Sequence, residues 1–163
     1  MLSEKMEKAL NDQINAEIFS SYLYLSMAAY FESQNWMGFA AWMKIQSQEE
    51  YGHAMKFFKY VNDVAGKVTL DAIEKPKNDW KSPIAAFEEA QKHELYITDR
   101  INKLVALANQ EKDYATGLFL NYFVTEQVEE VATVNQIIHK FKQIGDNKSS
   151  LFFLDRELGM RAK

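Results

Sequence analysis

Apolar residues recur at 3.6-residue spacing along four long stretches of the chain, and each stretch carries an acidic residue near the middle of its apolar face. The first stretch, about 4 to 33, follows Ser3 as N-cap and lines up Leu10, Ile14, Glu17, Tyr24, Ala28 and Phe31. Gln34 and Asn35 then form a tight link, with Asn35 expected to cap a second, antiparallel helix over about 36 to 65. Its inner stripe is Phe39, Met43, Gln46, Glu50, His53, Phe57, Val61 and Val64, and Gly66 is expected to end it. Ser82 followed by Pro83 is a strong start signal for a third helix over about 83 to 111, with Phe87, Ala90, Glu94, Ile97, Ile101, Val105 and Ala108 facing inward. Asp113 introduces a fourth, over about 114 to 142, bearing Phe119, Phe123, Glu130, Val134, Ile137 and Phe141 and closing at Gly145.

Between the second and third helices, residues 67 to 82 show no helical period. A connection of ~16 residues at ~3.3 Å each can run the ~45 Å length of a 30-residue helix, so it predicts a crossover that sets the third helix parallel to the second. A last amphipathic piece, about 149 to 160, contains Leu151, Phe152, Phe153, Leu154 and Leu158. It is too short to lie alongside the others and too apolar for water, which predicts packing against partner chains. The fold class is therefore all-α: a four-helix bundle with one long crossover and a short fifth C-terminal helix, forming a single domain over residues 1–163.

Composition narrows the chemistry. Hydrophobic residues make up 47% of the 163, with only 6 Gly and 2 Pro, which suits long helices rather than turn-rich architecture. With no cysteine, a disulfide framework, a zinc knuckle and an iron–sulfur centre are excluded, so any metal must be held by oxygen and nitrogen. No segment approaches the ~18 apolar residues of a membrane span, and the N-terminus lacks a basic segment followed by an apolar run. The expectation is a cytoplasmic protein without a membrane partner. A net charge of -4 and no Lys/Arg block argue against nucleic acid.

Glu17, Glu50, Glu94 and Glu130 each lie within about three residues of their helix midpoints, so helices of similar length bring all four level. Each signal alone is weak. A lone Glu-x-x-His is usually a solvated pair, a single mid-stripe Glu usually turns to solvent or a Lys, and Glu126, Glu129 and Glu130 could form a charged face. Together they are a different proposition, because ionised carboxylates buried side by side cost many kcal/mol unless protons or cations neutralise them. His53, one turn from Glu50, favours a metal. Tyr24 reads either as a core tyrosine with a satisfied hydroxyl or as a hydrogen-bonding or one-electron-donating neighbour of that metal. His93 is expected to point away from the stripe that holds Glu94, and His139 to complement the negative end of the fourth helix.

Glu17, Tyr24, Glu49-Glu50-x-x-His53, Glu94 and Glu126-Gln127-x-Glu129-Glu130, with the long crossover and short fifth helix, resemble the bacterial non-haem ferritins over essentially the whole chain. The resemblance implies that Glu17, Glu50 and His53 bind one iron and Glu50, Glu94 and Glu130 a second, with Glu50 bridging. It implies further that Glu49, Glu126, Glu129 and Glu130 form a third iron site, and that Gln127 is a hydrogen-bonding residue near the metal centre. The function it implies is iron storage with ferroxidase activity, oxidising Fe(II) with O2 or hydrogen peroxide and depositing a ferric mineral in a homo-oligomeric 24-subunit shell. A di-iron peroxidase or oxygenase of the same fold is the alternative, but those relatives keep a second Glu-x-x-His. Here Thr133 follows Glu130 at that spacing and Glu129 follows Glu126. Tyr51 and Gly52 stand where bacterioferritins carry a haem-ligating methionine, so no haem is expected. Animal ferritins place acids ten and seven residues before the position of Gln127 to line the threefold pore. Here those positions are Gly117 and Leu120, which puts an acidic funnel in doubt.

Overall fold

Helix-forming signals along the chain resolve into five helices in a computed structural model that describes residues 2–162. These are α1 (Glu4–Ser33), α2 (Met37–Asp63), α3 (Pro83–Glu111), α4 (Tyr114–Ile144) and α5 (Lys148–Gly159). Local capping accounts for most of the boundaries. The hydroxyls of Ser3 and Ser82 and the carboxylate of Asp113 accept backbone N–H groups of Met6, Ala85 and Thr116, and Asn147 does the same for Ser150 at the start of α5. Gly145 closes α4 at a φ of 55°, a conformation open to glycine because it has no Cβ.

Two boundaries differ from the sequence expectation. Asn35 does not cap α2; it takes a φ of 61° and turns the chain out of α1, a role its short polar side chain tolerates. Trp36 occupies the N-cap position and offers no side-chain acceptor. The missing acceptor comes instead from α5, where Asp155 Oδ1 receives the backbone N–H of Phe39 at 2.9 Å. At the other end of α2 the left-handed residue is Ala65, φ 58°, not Gly66. Gly66 N–H reaches the Val61 carbonyl at 2.8 Å and Ala65 N–H reaches that of Asn62 at 3.0 Å, the two bonds of a Schellman closure.

The crossover lies along α1, and one polar stripe of that helix receives it. Asn11 bridges it twice, donating to the Lys67 carbonyl at 2.9 Å and accepting Thr69 N–H at 2.7 Å. Asn15 donates to the Ala72 carbonyl at 3.0 Å, and Ser26 to that of Lys77 at 2.6 Å. These partners climb α1 as the crossover advances, so α3 begins beside the end of α1 and runs parallel to α2. Trp80, packed edge-on against Tyr30 at 5.4 Å, anchors the arrival.

The interior is not one continuous apolar core. One cluster gathers Tyr24, Phe31, Phe39, Phe87 and Phe141, and the other Leu10, Ile14, Phe57, Ile101 and Phe123. Between them lies a layer of buried polar side chains drawn from all four long helices. The fifth helix seats Leu154 and Leu158 against the first of these clusters within the same chain, while Phe152 and Phe153 stay 63% and 73% exposed. Its packing thus begins at home and leaves an apolar face open. Gly38 and Gly159 permit this approach, since a Cβ on Gly38 would fall 1.7 Å from the Asp155 carbonyl oxygen.

Candidate metal centre

The polar layer holds five side chains with metal-ligand chemistry. Glu17, Glu50 and Glu94 are each 1% exposed, His53 3% and Glu130 7%. They form two groups of three, Glu17–Glu50–His53 and Glu50–Glu94–Glu130, whose donor atoms lie within 4.8 Å of one another in each group. Glu50 belongs to both. His53 Nδ1 stands 3.4 Å from Glu50 Oε2, and its Nε2 faces Glu126 Oε1 at 3.7 Å.

Removal from water dominates the electrostatics. Burial, and then the charge of Glu50, lifts Glu17 to about 8. Burial, and then Glu94, lifts Glu130 to about 7. The same desolvation raises Glu94, and it raises Glu50 well above the carboxylate range with Glu94 and Glu130 adding to it. No lysine or arginine ion pair reaches these four carboxylates among the described residues. The amide and phenol donors that reach them are neutral. Gln13 donates to Glu17 Oε1 at 2.7 Å, and Gln46 to Glu130 Oε2 at 2.7 Å and Glu50 Oε1 at 3.2 Å. Tyr24 donates to Glu94 Oε1, and Gln127 to Glu94 Oε2 at 3.1 Å. Neutral donors orient a carboxylate without cancelling its charge, which leaves that charge available to a cation. Glu17 Oε2 is fully buried and has no hydrogen-bond partner. A buried orphan acceptor inside a carboxylate cluster fits a metal ion, and an oxygen-rich donor set with one imidazole suits first-row divalent ions such as Fe(II).

The remaining candidates fall on the flank of this centre. Gln127 is buried, with its amide nitrogen turned to Glu94 and also to Thr98 Oγ1 at 3.2 Å. Glu126 is partly buried beside His53, whereas Glu49 and Glu129 are exposed. Glu49 is paired with Arg161 at 2.6 Å. None of these three belongs to either three-residue group. Leu120 is fully buried, so its side chain packs in the core.

His93 lies off the stripe that holds Glu94 and is buried. Its position one residue before Glu94 turns it into the seam between α1 and α3, where Ser20 Oγ lies 2.7 Å from Nε2. Burial lowers it to about 4, so it is neutral near pH 7. His139 is exposed. Sequence reasoning did not identify Gln13 or Arg161 and placed Gln46 only on an apolar stripe. A signal was present, since Gln13–Glu17 and Gln46–Glu50 repeat the same four-residue offset, one helical turn, on two helices.

A four-helix bundle with one long crossover and a carboxylate cluster at mid-height is the architecture of the ferritin-like metal proteins. Comparison with known proteins extends this to the whole chain. The family profile described as a ferritin-like domain matches residues 7–144. A bacterial non-heme ferritin of Bacteroides fragilis (strain 638R) is 46% identical over 161 residues, covering 99% of this chain and 100% of that protein. One from Staphylococcus aureus (strain MRSA252) is 39% identical, covering 99% and 97%. Among solved structures, an open pore ferritin from the archaeon Archaeoglobus fulgidus superposes with a TM-score of 0.98 at 53% identity, covering 99% of this chain and 100% of that one. The chain belongs to the ferritin family. No helix among the described residues is long and apolar enough to cross a membrane.

Proposed function

We propose that this protein stores iron and oxidises it on the way in, as a ferroxidase. The observation that carries this reading is Glu50, shared between two buried ligand groups one of which alone has an imidazole. Glu17, Glu50 and His53 would take one ferrous ion, and Glu50, Glu94 and Glu130 the second. Four carboxylates balance two divalent ions in charge, so the buried layer reaches neutrality when both are bound, and the protons held by Glu17 and Glu130 leave as the ions arrive. Each ferrous ion then gives one electron to the same O2, which takes up two protons and leaves as hydrogen peroxide; hydrogen peroxide can itself serve as oxidant for a further pair. Two ferric ions exceed the charge of the four carboxylates. That imbalance favours hydrolysis and transfer outward, and Glu126 and Glu129, with Glu49 and Glu130, are the acids that would receive an ion as a third site. Tyr24 and Gln127 hold Glu94 in place through this cycle.

The storage reading also includes a shell of 24 copies and, on family grounds, a cytoplasmic setting. The exposed Phe152 and Phe153 on α5 support assembly, since large apolar side chains so placed favour a partner surface. Aerobic Fe(II) should yield soluble ferric cores in shell-sized particles that gain mass on loading, measured by light scattering with and without iron. Glu50→Ala and His53→Ala should slow oxidation strongly. Ordinary oxidation rates in both variants would overturn the site assignment, and a monomer that never gains mass would overturn the storage role.

A further inference from the structure

Two of the three glutamines that donate to the carboxylate cluster, Gln13 and Gln46, are themselves held by an arginine from a different helix or from the tail. Arg100 Nε donates to Gln13 Oε1 at 2.9 Å, while Gln13 Nε2 donates to Glu17. Arg161 Nη1 donates to Gln46 Oε1 at 2.8 Å, while Gln46 Nε2 donates to Glu130 and Glu50. The two chains arise independently, one from α3 and one from the residues after α5, yet they have the same order: arginine, glutamine, glutamate.

A primary amide has one acceptor end and one donor end, so an arginine on its oxygen decides which way it faces. Were either amide reversed, its carbonyl oxygen would face a carboxylate oxygen and repel it once that carboxylate had given up its proton to bind a metal. The arginines are themselves anchored. Arg161 spans Gln46 and Glu49 with two nitrogens of its fork and lies over the Trp42 ring at 4.8 Å. Arg100 lies over the Tyr96 ring at 5.7 Å and donates to its hydroxyl at 3.2 Å. Both charges stand one residue back from the two-metal cluster, near enough to set orientation yet without an ion pair to Glu17, Glu50, Glu94 or Glu130; the one carboxylate paired with Arg161 is Glu49, of the proposed third site.

We propose that Arg100 and Arg161 are positioning residues for the metal centre, each acting through its glutamine on one side of the cluster: Arg100 on the Glu17 side and Arg161 on the Glu130 side. This rests on the metal-binding reading above. It gives the C-terminal tail a part in iron handling, because Arg161 is brought to Gln46 by the seating of α5 on α2.

The test is Co(II) titration of the full-length protein, with no oxidation step, followed by visible absorption. The two binding steps are assigned with His53→Ala and Glu94→Ala. Arg100→Ala should weaken the His53-containing step by about tenfold and the other step less, and Arg161→Ala should do the reverse. Arg161→Lys keeps the charge but cannot span both acceptors, so it should restore affinity only in part. In a Gln13→Leu or Gln46→Leu background the matching arginine change should add nothing further, the non-additivity expected of groups acting in series. Equal weakening of both steps by each arginine variant, no weakening by either, or full additivity with the glutamine changes would overturn the proposal. Absence of Co(II) binding by the unmodified protein would instead overturn the metal-centre reading on which it depends.

Discussion

The phenol of Tyr24, on α1, donates its hydrogen bond to Glu94 Oε1 on α3, across the middle of the bundle. The second oxygen of Glu94 accepts Gln127 from α4, so one carboxylate is held by neutral donors from two other helices. Burial and the neighbouring Glu94 raise the Tyr24 phenol well above its ordinary range, which keeps it a donor. Tyr24→Phe should therefore cost about 1 to 2 kcal/mol of stability through the lost buried hydrogen bond, read as a lower thermal midpoint. It should also weaken metal at the Glu50–Glu94–Glu130 group more than at the Glu17 group, which a two-step titration would resolve.

Protons and metal compete for the same carboxylates, and this gives the metal-free protein an unusual pH dependence. Glu17 at about 8 and Glu130 at about 7 hold protons in the folded state that the unfolded chain, with ordinary values of 4.5, has released. A raised folded value means stability is fully present below the unfolded value and is lost as pH rises through the folded one. The metal-free thermal midpoint should thus fall between about pH 4.5 and 8. Zn(II) should raise that midpoint more near pH 8 than near pH 6, because fewer protons remain to be displaced. Scanning calorimetry at those two pH values checks both statements.

Shared and unshared ligands should separate cleanly on mutation. Glu50→Ala removes a donor from both groups and should abolish both metal-binding steps, whereas Glu94→Ala should remove one and leave the Glu17–Glu50–His53 step measurable. Should Glu50→Ala cost only one bound ion by equilibrium dialysis, Glu50 would not bridge. Glu130→Ala should impair the second step and the proposed third site together.

Close backbone contact makes Gly38 a sensitive position. A methyl group there meets the Asp155 carbonyl, so Gly38→Ala must push α5 away and break the Asp155 cap on Phe39. The expected cost is about 1 to 3 kcal/mol, with faster proteolysis of the segment after Gly145 as the specific readout.

At the other end of α2, Ala65 holds a left-handed conformation that strains a residue with a Cβ. Ala65→Gly should leave metal binding unchanged and raise stability by up to about 1 kcal/mol, less the extra freedom glycine gains in the unfolded chain. Denaturant midpoints of the two proteins would show it.

Helical periodicity made the four inner faces readable, because a 3.6-residue repeat is a local property of the chain. The same repeat placed Glu17, Glu50, Glu94 and Glu130 at one height, since rise per residue converts sequence position directly into distance along a bundle. Capping signals at Ser3, Ser82 and Asp113 were equally local. Other features depended on how far each helix is rotated and what lies across from it. His93 is buried because α1 stands beside that face of α3, which no pattern within α3 records. Trp36 can start a helix without a capping side chain because Asp155, 116 residues after Phe39, supplies the acceptor. Arg161 reaches Gln46 across 115 residues for the same reason. Contacts of this kind exist only once α5 has docked: its amphipathic repeat supplies Leu154 and Leu158, but the close approach that Gly38 and Gly159 allow is a property of the packed structure that periodicity does not record.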